Sequence, residues 1–303
     1  MNNNYYNEIK NELLNNEVYK KVKDYSKNRN ELSTYYSVGK LLIEAQGGED
    51  RAKYGDSLIK EYSLKLSQEI GKKYNITTLK RMRQFYLIIE KGAAMRHQLS
   101  WSHYRELLPI KDINEINYYI ETTISHNLAY RQLRERIKNK EYQRLDDNTK
   151  LKLINREEIS IGDTIKNPII IKNKLGIDKE NISEKILQRL ILEDIPSFLD
   201  ELGEGYCFIR NEYKIKINNT YNYIDLLLFN YIYNSFVVVE LKVTEVRKEH
   251  IGQIEVYMNY IDKHIKGVIN NKTIGIIVAR RDNHYYIEYS SDKRIYTRDY
   301  ELI

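Results

Sequence analysis

Three ionisable residues, Asp225, Glu240 and Lys242, interrupt two strongly apolar stretches, NYIDLLLF and FVVVELKV. Short runs rich in Val, Ile, Leu and Phe read as strands. An unpaired polar group in such surroundings costs about 2–7 kcal/mol even when neutral, so something must compensate these charges. Side chains alternate faces along a strand. Phe236, Val238, Glu240 and Lys242 therefore share one face, and Val237, Val239, Leu241 and Val243 the other. If the two stretches pair as a hairpin around residues 230–235, Phe229 faces Phe236 and Asp225 faces Glu240. Both acids then point the same way from neighbouring strands. Like charges opposed across a sheet repel, but a divalent cation between them reverses the sign. Mg²⁺ takes one or two carboxylates and completes its shell with waters and substrate phosphate oxygens. Such an ion acidifies its water and polarises a phosphate. Lys242 could orient the attacking water, help deprotonate it, or stabilise a charged transition state. The chemistry is phosphodiester hydrolysis. A structural salt bridge on a solvated sheet face uses the same three residues, and the spacing leaves it open.

The elements that must position these residues divide the chain in two. Up to about residue 145 the apolar pattern is helical. ELSTYYSVGKLLIEAQ runs to Gly47-Gly48, GDSLIKEYSLKLSQEIG starts with Asp56 as its cap, and NITTLKRMRQFYLIIEKG is capped by Thr77 or Thr78 and closed by Gly92. SWSHYRELLPIKD and the segment from Ile113 to Leu145 add further helices. Periodicity fades from 146 to about 180, an irregular connection with one short strand at 168–172. SEKILQRLILEDIPSFLDELG then reads as one helix ending at Gly203. Strands CFIRNEYKIKI, NYIDLLLF and FVVVELKV follow, then the amphipathic helix RKEHIGQIEVYMNYIDKHI, the strand TIGIIVAR, and strand-rich HYYIEY and RIYTRDY. This order gives a mixed sheet with helices on its faces.

Composition narrows the setting. The chain has 303 residues, 42% hydrophobic and 30% charged, with 3 Pro and 13 Gly, which suits globular domains rather than linkers. Its one cysteine, Cys207, excludes an internal disulfide and a cysteine-based zinc cluster. The six histidines show no metal-ligand spacing, and no Gly-rich phosphate loop is present. No apolar run approaches a membrane span, and MNNNYYNEIKNELL lacks the apolar core of a secretory signal. The expectation is a cytoplasmic protein with no membrane partner. A net charge of +6 permits a polyanionic partner.

YIDLLLFN and FVVVELKV, following a helix that runs into LDELGEGYCFIRNEYKI, resemble the nuclease core of the PD-(D/E)XK superfamily, and specifically its YhcG-type family of prokaryotic nucleases. TLKRMRQFYL and LSWSHYRELLPIKD in the first half resemble that family too, so the likeness covers about residues 15–145 and 183–303. It implies an α+β protein: an all-α, helix-turn-helix-like DNA-binding domain at 1–148, a connecting segment at 149–179, and a restriction-endonuclease-like α/β core of order αβββαβ at 180–303. By the same resemblance Asp225 and Glu240 bind Mg²⁺ or Mn²⁺, Leu241 adds its backbone carbonyl, and Lys242 is catalytic. Ile224 stands where the superfamily's nominal Pro would be, a position where replacement is common. GQIEVY resembles the superfamily's Gln-xxx-Tyr element. Gln253 and Tyr257 therefore become a catalytic helper and a DNA-placing residue on one face of a helix, unless that face is simply amphipathic packing. Glu193 or Asp194 could supply a further acid, with a solvated helix face as the simpler reading.

In the helical half, Leu79, Met82, Phe85 or Tyr86, and Ile89 make an inward stripe, leaving Lys80, Arg81, Arg83 and Gln84 to face a DNA groove. Residues 77–111 hold seven Lys or Arg against two acids, and RQLRERIKNK adds Arg131 and Arg134. Such clusters contact phosphates. Trp101 reads as core. The expected partner is nucleic acid, with DNA preferred over RNA, and cutting both strands would call for two sites and hence a homodimer. The alternatives are an RNA-directed nuclease and a non-catalytic DNA-structure binder that uses the fold as a scaffold.

Overall fold

The computed structural model describes residues 3–21, 27–48, 56–281 and 292–303. The chain forms two compact units, Met1–Tyr142 and Gln143–Ile303.

The first unit is helical: α1 (Asn3–Lys21), α2 (Lys27–Ala45), α3 (Asp56–Glu69), α4 (Ile76–Glu90), α5 (Trp101–Leu107), α6 (Ile113–Ser125) and α7 (Tyr130–Lys138). Asn75, not either threonine, caps α4, its side chain accepting from the N–H of Thr78. Thr77 and Thr78 lie inside the first turn, so they cannot serve as its cap. The buried stripe of α4 is Leu79, Met82, Phe85 and Ile88, one residue short of the expected Ile89. Helix α2 lies directly on it: a side chain at Gly39 would run into the Met82 carbonyl and the Tyr86 Cβ. Trp101 packs edge-on against Tyr35 and Phe85, with ring centroids at 4.8 and 5.5 Å, as a core aromatic should.

The second unit begins with α8 (Asp147–Asn155), α9 (Ile161–Thr164) and β1 (Ile169–Ile171). The segment read as irregular is thus largely ordered. The short strand expected at 168–172 is β1, three residues that take their partner, β6, from the far end of the chain. Next come α10 (Glu184–Glu193) and α11 (Ile195–Leu202), two helices where one was expected. The break falls at Asp194, just before Pro196, which has no N–H to continue the ladder and crowds the preceding turn. Then follow β2 (Tyr206–Ile217), β3 (Thr220–Asn230), β4 (Ser235–Glu245), α12 (Lys248–His264), β5 (Ile274–Arg281) and β6 (Ile295–Leu302). The strand expected at HYYIEY lies outside the described residues.

The six described strands form one sheet in the order β1-β6-β5-β4-β3-β2. The β2, β3 and β4 strands are antiparallel, while β4, β5, β6 and β1 run parallel, so the sheet is mixed. Alternation sorts its two faces. Val237, Val239 and Leu241 join Leu187, Leu190 and Phe198 in a core under α10 and α11. Val238, Leu227 and Ile277 join Ile254, Met258 and Ile261 under α12. Gly275 lets α12 come close, since a Cβ there would lie 2.6 Å from the Met258 sulfur. At this end of the described strand order, β2 exposes Cys207, Phe208 and Ile209.

Candidate active site

The β3–β4 register is the one the hairpin reading requires, with Phe229 opposite Phe236 and Leu226 opposite Val239. Beyond Leu226 the pattern changes. Instead of a backbone pair, the Asp225 carboxylate accepts the Leu241 N–H at 2.8 Å. On the other side, Asn211 pairs with Leu226 and Tyr213 with Ile224, and Glu212 between them takes a left-handed φ of 46°. A non-glycine residue there is strained, and such strain persists only where the surroundings enforce it. From α10, the buried Gln188 amide donates to the Asp225 carbonyl at 3.0 Å. Asp225 is therefore held at both its backbone and its side chain.

Glu240 is 2% exposed and Lys242 8%. The Lys242 Nζ lies 3.4 Å from Glu240 Oε2 and 3.6 Å from Glu184 Oε1. Burial, reinforced by the negative charge of Asp225, pushes the Glu240 carboxyl up to about 8. Burial also raises Asp225, partly opposed by the Leu241 N–H and by Lys242, with Glu184 and Glu212 adding to the rise. For Lys242, burial works against the charge, yet Glu240, Glu184 and Asp225 together hold its ammonium above the ordinary range. The three side chains that the sequence singled out thus converge on one place.

Glu240 Oε1 is buried and has no hydrogen-bond partner. Buried carboxylate oxygens are normally satisfied, so this one stands out in the site. Among the described residues, no three or more of His, Cys, Asp and Glu group together to hold a metal. Two neighbouring carboxylates are the kind of donor set that suits Mg²⁺ rather than a closed structural site.

The supporting residues fall differently. Gln253 donates to the Tyr257 hydroxyl at 3.0 Å, and Tyr257 is buried in the core beneath α12, near enough to Glu240, Lys242 and Asp225 to feel their charges. Glu193 pairs with Arg189 at 3.3 Å, and Asp194 with Lys172 and Lys174 at 3.2 and 3.0 Å. The acid that α10 brings to Lys242 is instead Glu184, which the sequence reading missed. Ser183 caps α10, its hydroxyl accepting from the Ile186 N–H at 3.3 Å, which sets Glu184 in the first turn. His250 is half-buried, its Nδ1 accepting the Arg247 N–H at the start of α12.

In the helical unit, Lys80 is exposed and Arg81 half-buried. Arg83 Nη1 donates to Gln46 at 3.2 Å, and the Gln84 amide to the Leu108 carbonyl. Arg134 makes a two-pronged pair with Glu106 at 2.9 and 2.8 Å. Arg131 is exposed against Tyr130, its Nε 3.2 Å from the hydroxyl. Fewer of these groups are open for a ligand than helical spacing alone implied. His103 is structural, bridging Ser100 and the Leu128 carbonyl.

Comparison with known proteins agrees with this division of the chain. Residues 162–302 match the family described as the YhcG PDDEXK nuclease domain, and residues 12–144 match the DUF1016 N-terminal domain. The chain is 26% identical to "Putative nuclease YhcG" of Escherichia coli (strain K12), over 82% of this chain and 76% of that protein. Among solved structures, a repair endonuclease from Pyrococcus abyssi aligns at 19% identity and a TM-score of 0.29, over 39% of this chain and 47% of that one. The complex described as "Structure of EndoMS-dsDNA2 complex" aligns at 19% and 0.31, over 42% and 46%. The matched region spans about half the length of each of these two proteins.

Proposed function

From the premise that this chain belongs to the YhcG-type family of PDDEXK nucleases, we propose that it is a Mg²⁺- or Mn²⁺-dependent endonuclease acting on DNA. The observation that carries the reading is the buried, partnerless Glu240 Oε1 beside Asp225 and Lys242. Asp225 and Glu240 would hold the ion, with the Leu241 carbonyl as a third donor. When bound, a divalent cation supplies Lewis-acid polarisation of the scissile phosphate and a more acidic water.

The remaining work falls to the chain itself. Asp225, fixed by the Leu241 N–H and by Gln188, keeps its carboxylate from swinging away from Glu240. Lys242, with its pKa above the ordinary range, is a cation at neutral pH. It donates to a phosphate oxygen and stabilises charge that builds in the transition state, and does not remove a proton from water. Gln253 and Tyr257, bonded to each other on α12, line up behind the two acids as positioning groups. The basic helices of the first unit engage the DNA backbone through Lys80, Arg81 and Arg131, with Arg134 available only if it leaves Glu106. Scission of both strands would use two copies of the chain.

The test is cleavage of linear, circular and single-stranded DNA, with RNA in parallel, in Mg²⁺, Mn²⁺ and chelator. Cutting is expected in either ion and not in chelator, and Asp225→Ala should lose cutting while still binding DNA. Equal cutting by wild type and Asp225→Ala would mark a contaminant and remove the assignment. Cutting confined to RNA would move the substrate.

A further inference from the structure

The β2–β3 hairpin extends past the active site, and its tip is built unlike the rest of the sheet. The register pairs Lys214 with Tyr223 and Lys216 with Tyr221. Cross-strand partners and alternate residues share a face, so all four project together. Ile215 and Ile224, from the opposite face, are buried under α12. Tyr221 is 53% exposed and Tyr223 52%, and both lysines are exposed. The Lys214 Nζ sits 3.7 Å from the centre of the Tyr221 ring, fixing one side of the ring with a positive charge. Two half-open aromatic rings flanked by two ammonium groups are more than strand pairing needs.

This patch adjoins the site along β3. Tyr223 lies two residues before Asp225 on β3, and Tyr221 four. At about 3.3 Å per residue, the rings stand roughly 7 and 13 Å along the strand from the acid. A polynucleotide passing over Asp225 would meet them within its next few nucleotides. Alternating cationic and aromatic side chains along one track are the chemistry of single-strand recognition, with bases stacking on rings and lysines contacting phosphates. A paired duplex keeps its bases stacked on one another and offers the rings nothing.

We propose that the exposed face of the β2–β3 hairpin, Lys214, Lys216, Tyr221 and Tyr223, is a stacking platform that receives an unpaired DNA strand beside the scissile phosphate. This rests on the nuclease reading for its position, and it narrows the substrate to DNA with an unpaired segment next to the cut.

The experiment is fluorescence anisotropy of the full chain in chelator, with a labelled polythymidine strand of roughly 16 nucleotides, a duplex of equal length, and a polyuridine strand. Tyr221→Ala with Tyr223→Ala should weaken polythymidine binding about tenfold or more and change duplex binding less than about twofold. The paired Tyr→Phe variants keep the rings and should bind like wild type. Lys214→Ala with Lys216→Ala should lower the salt slope on the single strand by about 1.4, for two lost phosphate contacts. Unchanged single-strand affinity in the Ala variant, with only its melting temperature lowered, would mean cross-strand packing and overturn the platform. Equal losses in the Phe and Ala variants, or equal losses on strand and duplex, would overturn it too. Tighter binding of polyuridine than polythymidine would overturn the choice of DNA. Should the Ala variant fail to fold, the Phe and Lys variants decide alone. Because binding is read without metal, the two proposals fail separately. Cutting that depends on Asp225 but not on the tyrosines removes the platform alone. Ring-dependent binding without cutting in any ion removes the nuclease.

Discussion

At the scale of single residues, the site is defined by a charge that its own surroundings oppose. The folded protein holds a proton on Glu240 up to about pH 8, against an ordinary value of 4.5. Below 4.5 both folded and unfolded chains are protonated there. Between the two values only the folded chain is, so this group's contribution to stability falls as pH rises and is fully lost above 8. In chelator, the melting temperature of wild type should drop over that interval, while Glu240→Gln should flatten the drop and melt higher at alkaline pH. A parallel decline in both proteins would refute this. Glu184 can be probed on its own: Glu184→Gln removes one carboxylate that keeps Lys242 charged. The alkaline limb of the cleavage profile should then move to lower pH, an effect moderated by solvent because Glu184 is half open to it. The nearness of Asp225, Glu240 and Lys242 was legible from the hairpin register, although Asp225 meets β4 through its carboxylate on the Leu241 N–H rather than as the strand partner of Glu240. Glu184 was not, because no local pattern tells which turn of a helix will meet a strand dozens of residues later.

At the scale of elements, long periodic segments were readable, and so was the short strand at 168–172, but the contacts that hold that strand were not. β1 is anchored by Glu201 of α11, which accepts the Ile170 N–H at 2.9 Å and pairs with Arg144 in a largely buried bridge. Arg144 also donates to the Pro168 carbonyl at 2.7 Å. Nothing in NPIII foretells this, since the partners lie on other elements. Removing one member leaves the other charge buried and unpaired, so Arg144→Ala should destabilise the protein by about 3–5 kcal/mol in urea unfolding. A cost under about 1 kcal/mol would show the bridge to be ornamental. The break between α10 and α11 could have been read from Pro196, but the apolar period continues through it and masks the interruption.

At the scale of the whole molecule, composition foretold the sign of the charge but not its availability. Arg96 is paired with Glu121 at 3.0 Å, Arg134 with Glu106, and Arg136 with Glu141 at 3.0 Å, so counts of lysine and arginine overstate what a polyanion can reach. A contrast between two arginines tests this. Arg83→Ala, which loses a bond to Gln46, should lower the melting temperature and leave the salt dependence of DNA binding unchanged. Arg131→Ala should do the reverse, reducing the slope of log affinity against log salt by about 0.9 if it meets one duplex phosphate. Anisotropy at several salt concentrations, alongside thermal melts, separates the two, and equal behaviour would contradict the assignment.

The chain's one sulfhydryl, exposed on β2 at Cys207, opposite Phe229, carries a practical consequence. A maleimide dye should attach at that single address without any engineering of the sequence. Its emission would then report, from the same two strands that carry Asp225 and the tyrosine pair, when an oligonucleotide arrives and when it departs.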